Sequence, residues 1–125
     1  MWIWALGDML PLARDVAARL RDAGLRPGVV NARFVKPMDT ALLYAQAASA
    51  AQFVTVENGA VSGGFGSALR EALAAGGFDC PVRTFGWPDR FVGQGSLAEL
   101  LAECGLTAEN MARQVAGNKG VATGA

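Results

Sequence analysis

Val54 to Leu73 reads V-T-V-E-N-G-A-V-S-G-G-F-G-S-A-L-R-E-A-L. With Phe53 in front, it opens on a β-branched and aromatic run that predicts a short buried strand, Phe53 to Val56. Glu57 stands where that strand should end. Gly63, Gly64 and Gly66 supply a loop able to adopt positive φ. Ser67 is placed to cap a helix whose apolar positions include Leu69, Ala72 and Leu73, with Arg70 and Glu71 turned outward. Strand, carboxylate, glycine loop, helix is the order of parts found where α/β domains gather ligands and partners, beyond the carboxyl ends of parallel strands.

The flanking sequence repeats this alternation. Trp2 to Leu6 is a continuous apolar run, as expected of a parallel strand covered on both faces. Gly7 ends it, Asp8 is placed to cap a helix, and Pro11 falls in that helix's first turn, where a missing N–H costs little. Leu12, Val16 and Leu20 form its apolar stripe, opposite Arg14, Asp15, Arg19, Arg21 and Asp22, and Gly24 closes it. Gly28 to Ala32 is a second strand. Pro37 makes Lys36 extended, and Asp39 is a cap for a helix over about Thr40 to Ala48. After the central stretch, Gly76-Gly77 stops the third helix and Val82 to Phe85 is the fourth strand. Ser96 and Glu99 have capping-box spacing for a helix carrying Leu97, Leu100, Leu101 and Cys104. Thr107 starts a last short helix with Met111 and Val115. The pattern is βαβαβαβα, which right-handed crossovers turn into a parallel sheet between two helix layers, a three-layer α/β/α sandwich. Residues 1–116 form one domain in this reading, and 117–125 form a flexible tail with nothing to bury.

Composition narrows the function. A chain of 125 residues, 52% of them hydrophobic, can bury one sizeable core. Its 11 basic and 11 acidic residues balance, and no basic face is evident, so no nucleic-acid partner is expected. There is no histidine, which excludes Ser/His/Asp and Cys/His catalysis and the ordinary zinc site. Cys80 and Cys104 make no disulfide framework and fall at apolar positions, so buried free thiols are expected. No apolar run approaches the roughly 20 residues of a membrane span, and the N-terminus lacks the basic region of a signal peptide. A soluble cytoplasmic protein, with no membrane partner, is expected.

Four features carry candidate chemistry. A phosphate could sit at the Ser67 helix start, but Gly64-x-Gly66 has Leu69 at the third fingerprint position and no P-loop lysine, so a structural or interface turn is preferred. Gly93-Gln94-Gly95-Ser96-Leu97-Ala98 matches G-x-G-x-x-A by letters, yet Pro88 to Val92 separate it from the strand, against a dinucleotide site. Glu57 could be a base, a ligand for a helix N-terminus or a hydrogen-bond anchor for the loop, with the anchor preferred. Arg33 and Lys36 after the second strand, and Asp89 and Arg90 after the fourth, share the carboxyl edge of the sheet and could bind an anion or form interface ion pairs. Trp87 and Phe91, with Phe34, are aromatics in Gly/Pro loops beside arginines, a composition typical of contact surfaces. A protein–protein interface is therefore preferred over a catalytic pocket, and no catalytic, cofactor-binding or metal-binding residue is assigned. The competing reading is a stand-alone small-anion-binding or regulatory module built on Ser67, Arg33 and Lys36.

Three motifs, R-F-V-K-P-M-D (33–39), V-T-V-E-N-G-A-V-S-G-G-F-G-S-A-L (54–69) and G-W-P-D-R-F-V-G-Q-G (86–95), together with the opening A-L-G-D-M-L-P-L-A, resemble the C-terminal, transketolase-like domain of 1-deoxy-D-xylulose-5-phosphate synthases. The similarity runs from about Trp2 to Ala116. It implies a parallel sheet in strand order 2-1-3-4. It also implies membership of an enzyme that condenses pyruvate with glyceraldehyde 3-phosphate, releases carbon dioxide and feeds isoprenoid, thiamine and pyridoxal precursors. That enzyme uses thiamine diphosphate and magnesium between its first two domains, so the third domain would bind neither. The partners implied are the synthase's other domains and the second subunit of a homodimer. Asn58 departs from the family's usual second acidic residue. The family domain opens with an additional antiparallel strand ahead of Trp2, which this sequence does not include, leaving an edge exposed.

Overall fold

A computed structural model describes residues 1–6, 9–32, 38–60, 64–87 and 106–117, with backbone alone at 58–60 and 87. Four strands, β1 (Trp2–Leu6), β2 (Gly28–Ala32), β3 (Phe53–Ala60) and β4 (Val82–Trp87), form one parallel sheet in the order β2-β1-β3-β4. The described helices are α1 (Leu10–Asp22), α2 (Thr40–Ala47), α3 (Phe65–Ala75) and α4 (Ala108–Ala116). The helix expected over Leu97 to Cys104 lies outside the described residues, as do Asp8 and the 118–125 tail.

Strand alternation divides the core in two. Ile3, Ala5, Val54, Val56 and Phe85 face α1 and α4, where they meet Ala13, Val16, Leu20, Met111 and Val115. Trp4, Ala32 and Phe53 face α2 and α3, where they meet Leu43, Phe65, Leu69 and Leu73. β1 and β3 are covered on both sides, which is why their apolar runs are continuous rather than alternating. The buried Trp4 indole needs a partner for its N–H. It donates to Gln46 Oε1 of α2 at 2.9 Å.

Helix boundaries follow local chemistry at two of the four helices. The Asp39 carboxylate accepts from Leu42 N at 3.0 Å and starts α2. The Thr107 hydroxyl accepts from Asn110 N at 3.2 Å and starts α4. Each satisfies a donor that a helix start leaves free. α1 carries Pro11 in its first turn, as expected, after an N-cap at Met9 that makes no side-chain cap. Positive φ occurs at Gly24 and Gly77, two residues past the ends of α1 and α3, and at Gly117, directly after α4, where a left-handed residue ends a helix with little strain.

Candidate functional site

All four strands run parallel, so their carboxyl ends share one edge of the sheet. α3 begins at that edge, and the side chain that starts it comes from β3. Regular pairing of β3 with β4 runs from Phe53 to Val56 and resumes only at Ala60, opposite Trp87. Glu57 is the first residue past the regular stretch. By strand alternation its side chain points to the α2/α3 side, as Thr55's does. It is 4% exposed. Its Oε1 accepts from Phe65 N at 2.8 Å and its Oε2 from Gly66 N at 2.7 Å. Both oxygens of one buried carboxylate thus take the first two N–H groups of α3, at the positive end of the helix dipole.

Glu57 therefore acts as the anchor of the helix start. A general base needs a lone pair turned toward a substrate, whereas Glu57 is buried with each oxygen already holding a backbone donor. The same geometry corrects the reading of Ser67. The N-cap of α3 is Gly64, with no side-chain cap of its own, and Ser67 lies inside the first turn. A phosphate at this helix start would need the Phe65 and Gly66 N–H groups, and Glu57 holds both.

The glycines are also corrected. Gly64 has φ −91° and ψ −159°, an extended conformation open to any residue. Gly66 sits in the helix, and what it supplies is space. A Cβ there would lie 2.3 Å from Thr84 Cγ2 and 2.9 Å from Thr55 Oγ1. The missing side chain lets α3 descend onto β3 and β4 until its N–H groups reach Glu57. Phe65, next in the chain, inserts beside Trp4 with ring centroids 6.3 Å apart.

Of the other candidates, Trp87 is the last residue of β4. Arg33, Lys36, Gly63, Asp89, Arg90 and Phe91 lie outside the described residues, as does Cys104. The strands that precede these residues are described. Ala32, before Arg33, ends β2, and Trp87, two residues before Asp89, ends β4. These are the two outer strands of the sheet, three strand spacings or about 14 Å apart. Cys80 is free but only partly buried, with its Sγ 3.7 Å from the Ala47 carbonyl oxygen, so its expected full burial is corrected. Among the described residues there is no group of three or more cysteines, aspartates or glutamates arranged to hold a metal ion. No described helix is long and apolar enough to cross a membrane.

Residues 1–111 match the family model of the transketolase C-terminal domain. The chain belongs to that family. It is 52% identical over 111 residues to 1-deoxy-D-xylulose-5-phosphate synthase of Cupriavidus taiwanensis and 47% identical over 111 residues to that of Heliobacterium modesticaldum. Each match covers 89% of this chain and 17% of the relative. The chain thus spans about a sixth of the length of these synthases. A solved structure described as "Split gene transketolase, inactive beta4 tetramer" superposes with a TM-score of 0.82 at 36% identity, covering 95% of this chain and 39% of that one. The family, the parallel sheet in order 2-1-3-4 and the resemblance to the synthases agree with the expectation from the three motifs.

Proposed function

We propose that this chain is the C-terminal domain of a 1-deoxy-D-xylulose-5-phosphate synthase, serving as a non-catalytic lobe. In this reading it packs on the domains that hold thiamine diphosphate and magnesium, helps bury the dimer interface and keeps the active site closed to water. The reaction itself, condensation of pyruvate with glyceraldehyde 3-phosphate, takes place on those neighbours. The observation that carries the reading is the 42–52% identity to proteins of that name over nearly all of this chain but only 17–18% of theirs. Glu57 supports the non-catalytic part. Its carboxylate holds the first two N–H groups of α3, so those donors are not open to a phosphate.

Two measurements test this. The 125-residue chain mixed with pyruvate, glyceraldehyde 3-phosphate, thiamine diphosphate and magnesium is expected to form no product, and turnover would overturn the proposal. A relative's synthase whose final segment is replaced by this chain is expected to be active, and a folded but inactive chimera would count against it.

A further inference from the structure

The outer edge of β4 carries an arrangement that Glu57 and the family do not account for. Phe53 N donates to Pro81 O at 2.9 Å. Backbone groups alternate in direction along a strand, so Pro81, Arg83 and Phe85 turn theirs toward β3, and Val82, Thr84 and Gly86 turn theirs away from the sheet. Val82 O is met by Arg70 Nη2 of α3 at 2.7 Å. Next to this bond lies an open cleft of about 380 Å³ lined by Gln52, Arg70, Pro81, Val82, Arg83 and Thr84. Arg70 reaches it from the α3 face of the sheet. Arg83 lies on the opposite face, the one Phe85 turns toward α1 and α4. Both arginines are exposed, neither is in an ion pair with a described residue, and no described carboxylate lines this cleft; Asp79 lines the adjoining one with Arg70 and Val82. Among the described residues, two guanidiniums outside any ion pair thus flank a strand edge that pairs with no described strand, one on each face, in a chain whose net charge is zero.

We propose that this edge receives an extended segment of another polypeptide carrying two adjacent acidic residues. Its backbone would pair with the outward groups of Thr84 and Gly86, adding a strand to the sheet. Successive side chains of a strand point to opposite faces, so adjacent carboxylates would reach the Arg70 side and the Arg83 side respectively. Arg70 spends one N–H on Val82 O and keeps four donors for the incoming carboxylate. The bond to Val82 also sets the limit of the added strand, which begins pairing at Thr84. A second copy of this chain is the wrong occupant, because nowhere in the 125 residues do two acidic residues stand side by side.

The test is a titration of the isotopically labelled 125-residue chain with an octapeptide of alternating Thr and Val around a central Glu-Glu pair, followed by amide chemical shifts. Shifts at Thr84 and Gly86 are expected, with binding weakened about fivefold in R83A, the range of an exposed ion pair, and more in R83E. Arg83 is exposed, so both variants are expected to keep the wild-type spectrum elsewhere. A Lys-Lys version of the peptide is expected not to bind, and one with its two acids separated by a single residue, both on one face, is expected to bind more weakly than the adjacent pair. The proposal is overturned if saturating peptide leaves Thr84 and Gly86 unmoved, or if R83A binds as tightly as the parent. It is equally overturned if the Lys-Lys peptide binds as well, or if inorganic phosphate alone reproduces the shifts, which would make the cleft a small-anion site.

Discussion

α3 and α4 are both short helices of this sandwich, and they start in different ways. α4 begins at Thr107, whose hydroxyl accepts from Asn110 three residues on. α3 begins at Gly64, which has no capping side chain, and its N–H groups go to a carboxylate eight and nine residues earlier on β3. A local cap fixes one turn of helix. The β3 carboxylate fixes where a helix sits on a sheet, because the same two bonds that satisfy α3 also tie it to the strand. The start of α3 is therefore a tertiary contact, and perturbing it should propagate where perturbing α4 does not.

The largest expected effect follows from E57A. It leaves the Phe65 and Gly66 N–H groups buried without partners and removes two charge-assisted bonds, each worth roughly 2 kcal/mol, for a loss near 4 kcal/mol. Urea unfolding should show this as a lower midpoint with an unchanged slope. The near-ultraviolet dichroism should change as well, since Phe65 packs on Trp4. A loss no larger than that of T107A would break the contrast between the two helices.

G66A ranks next. Its Cβ meets Thr84 and Thr55 well inside contact distance, and lifting α3 off the sheet should cost about 3 kcal/mol. If G66A unfolds at the parent's urea midpoint, close approach is not what the glycine provides. T107A and D39A should each cost about 1 kcal/mol, as lost side-chain caps do. Their near-ultraviolet spectra should match the parent, with faster amide exchange confined to the first turn of α4 or α2. The smallest effect sharpens the comparison from the other side. Gly64 has a backbone that any residue can adopt, so G64S introduced into E57A offers α3 a local cap and should recover about 0.5–1 kcal/mol. No recovery would mean that the helix start depends on its tie to β3 alone.

These helices also mark how far the residue pattern could be read. Asp39 and Thr107 were legible as caps because a cap and its target lie three residues apart, within one turn of one helix. Glu57 stood out as a carboxylate at a strand end beside glycines, but its partners depend on how α3 lies across β3. Ser67 looked like the cap because it is the hydroxyl nearest the apolar run; the helix in fact begins two residues earlier, where its N–H groups donate to a carboxylate that β3 supplies. Glycine serves two purposes, unusual φ and free space, and the letter does not say which. Gly24 and Gly77 use the first and Gly66 the second. Cys80 looked wholly buried from its apolar neighbours, yet it sits in the turn between α3 and β4, where one side remains open to solvent.

What the chain determined by itself was the alternation of strands and helices, the faces each would bury and the local caps of α2 and α4. Those properties depend on residues within a few positions of one another, and burial on one face or two is written in period and composition. Only the packed sheet decided that Glu57 would start α3, that Gly66 would be the point of contact and that Arg70 and Arg83 would flank one edge. Each of those joins groups whose separation is set by strand register and helix placement, and neither exists until distant segments have paired.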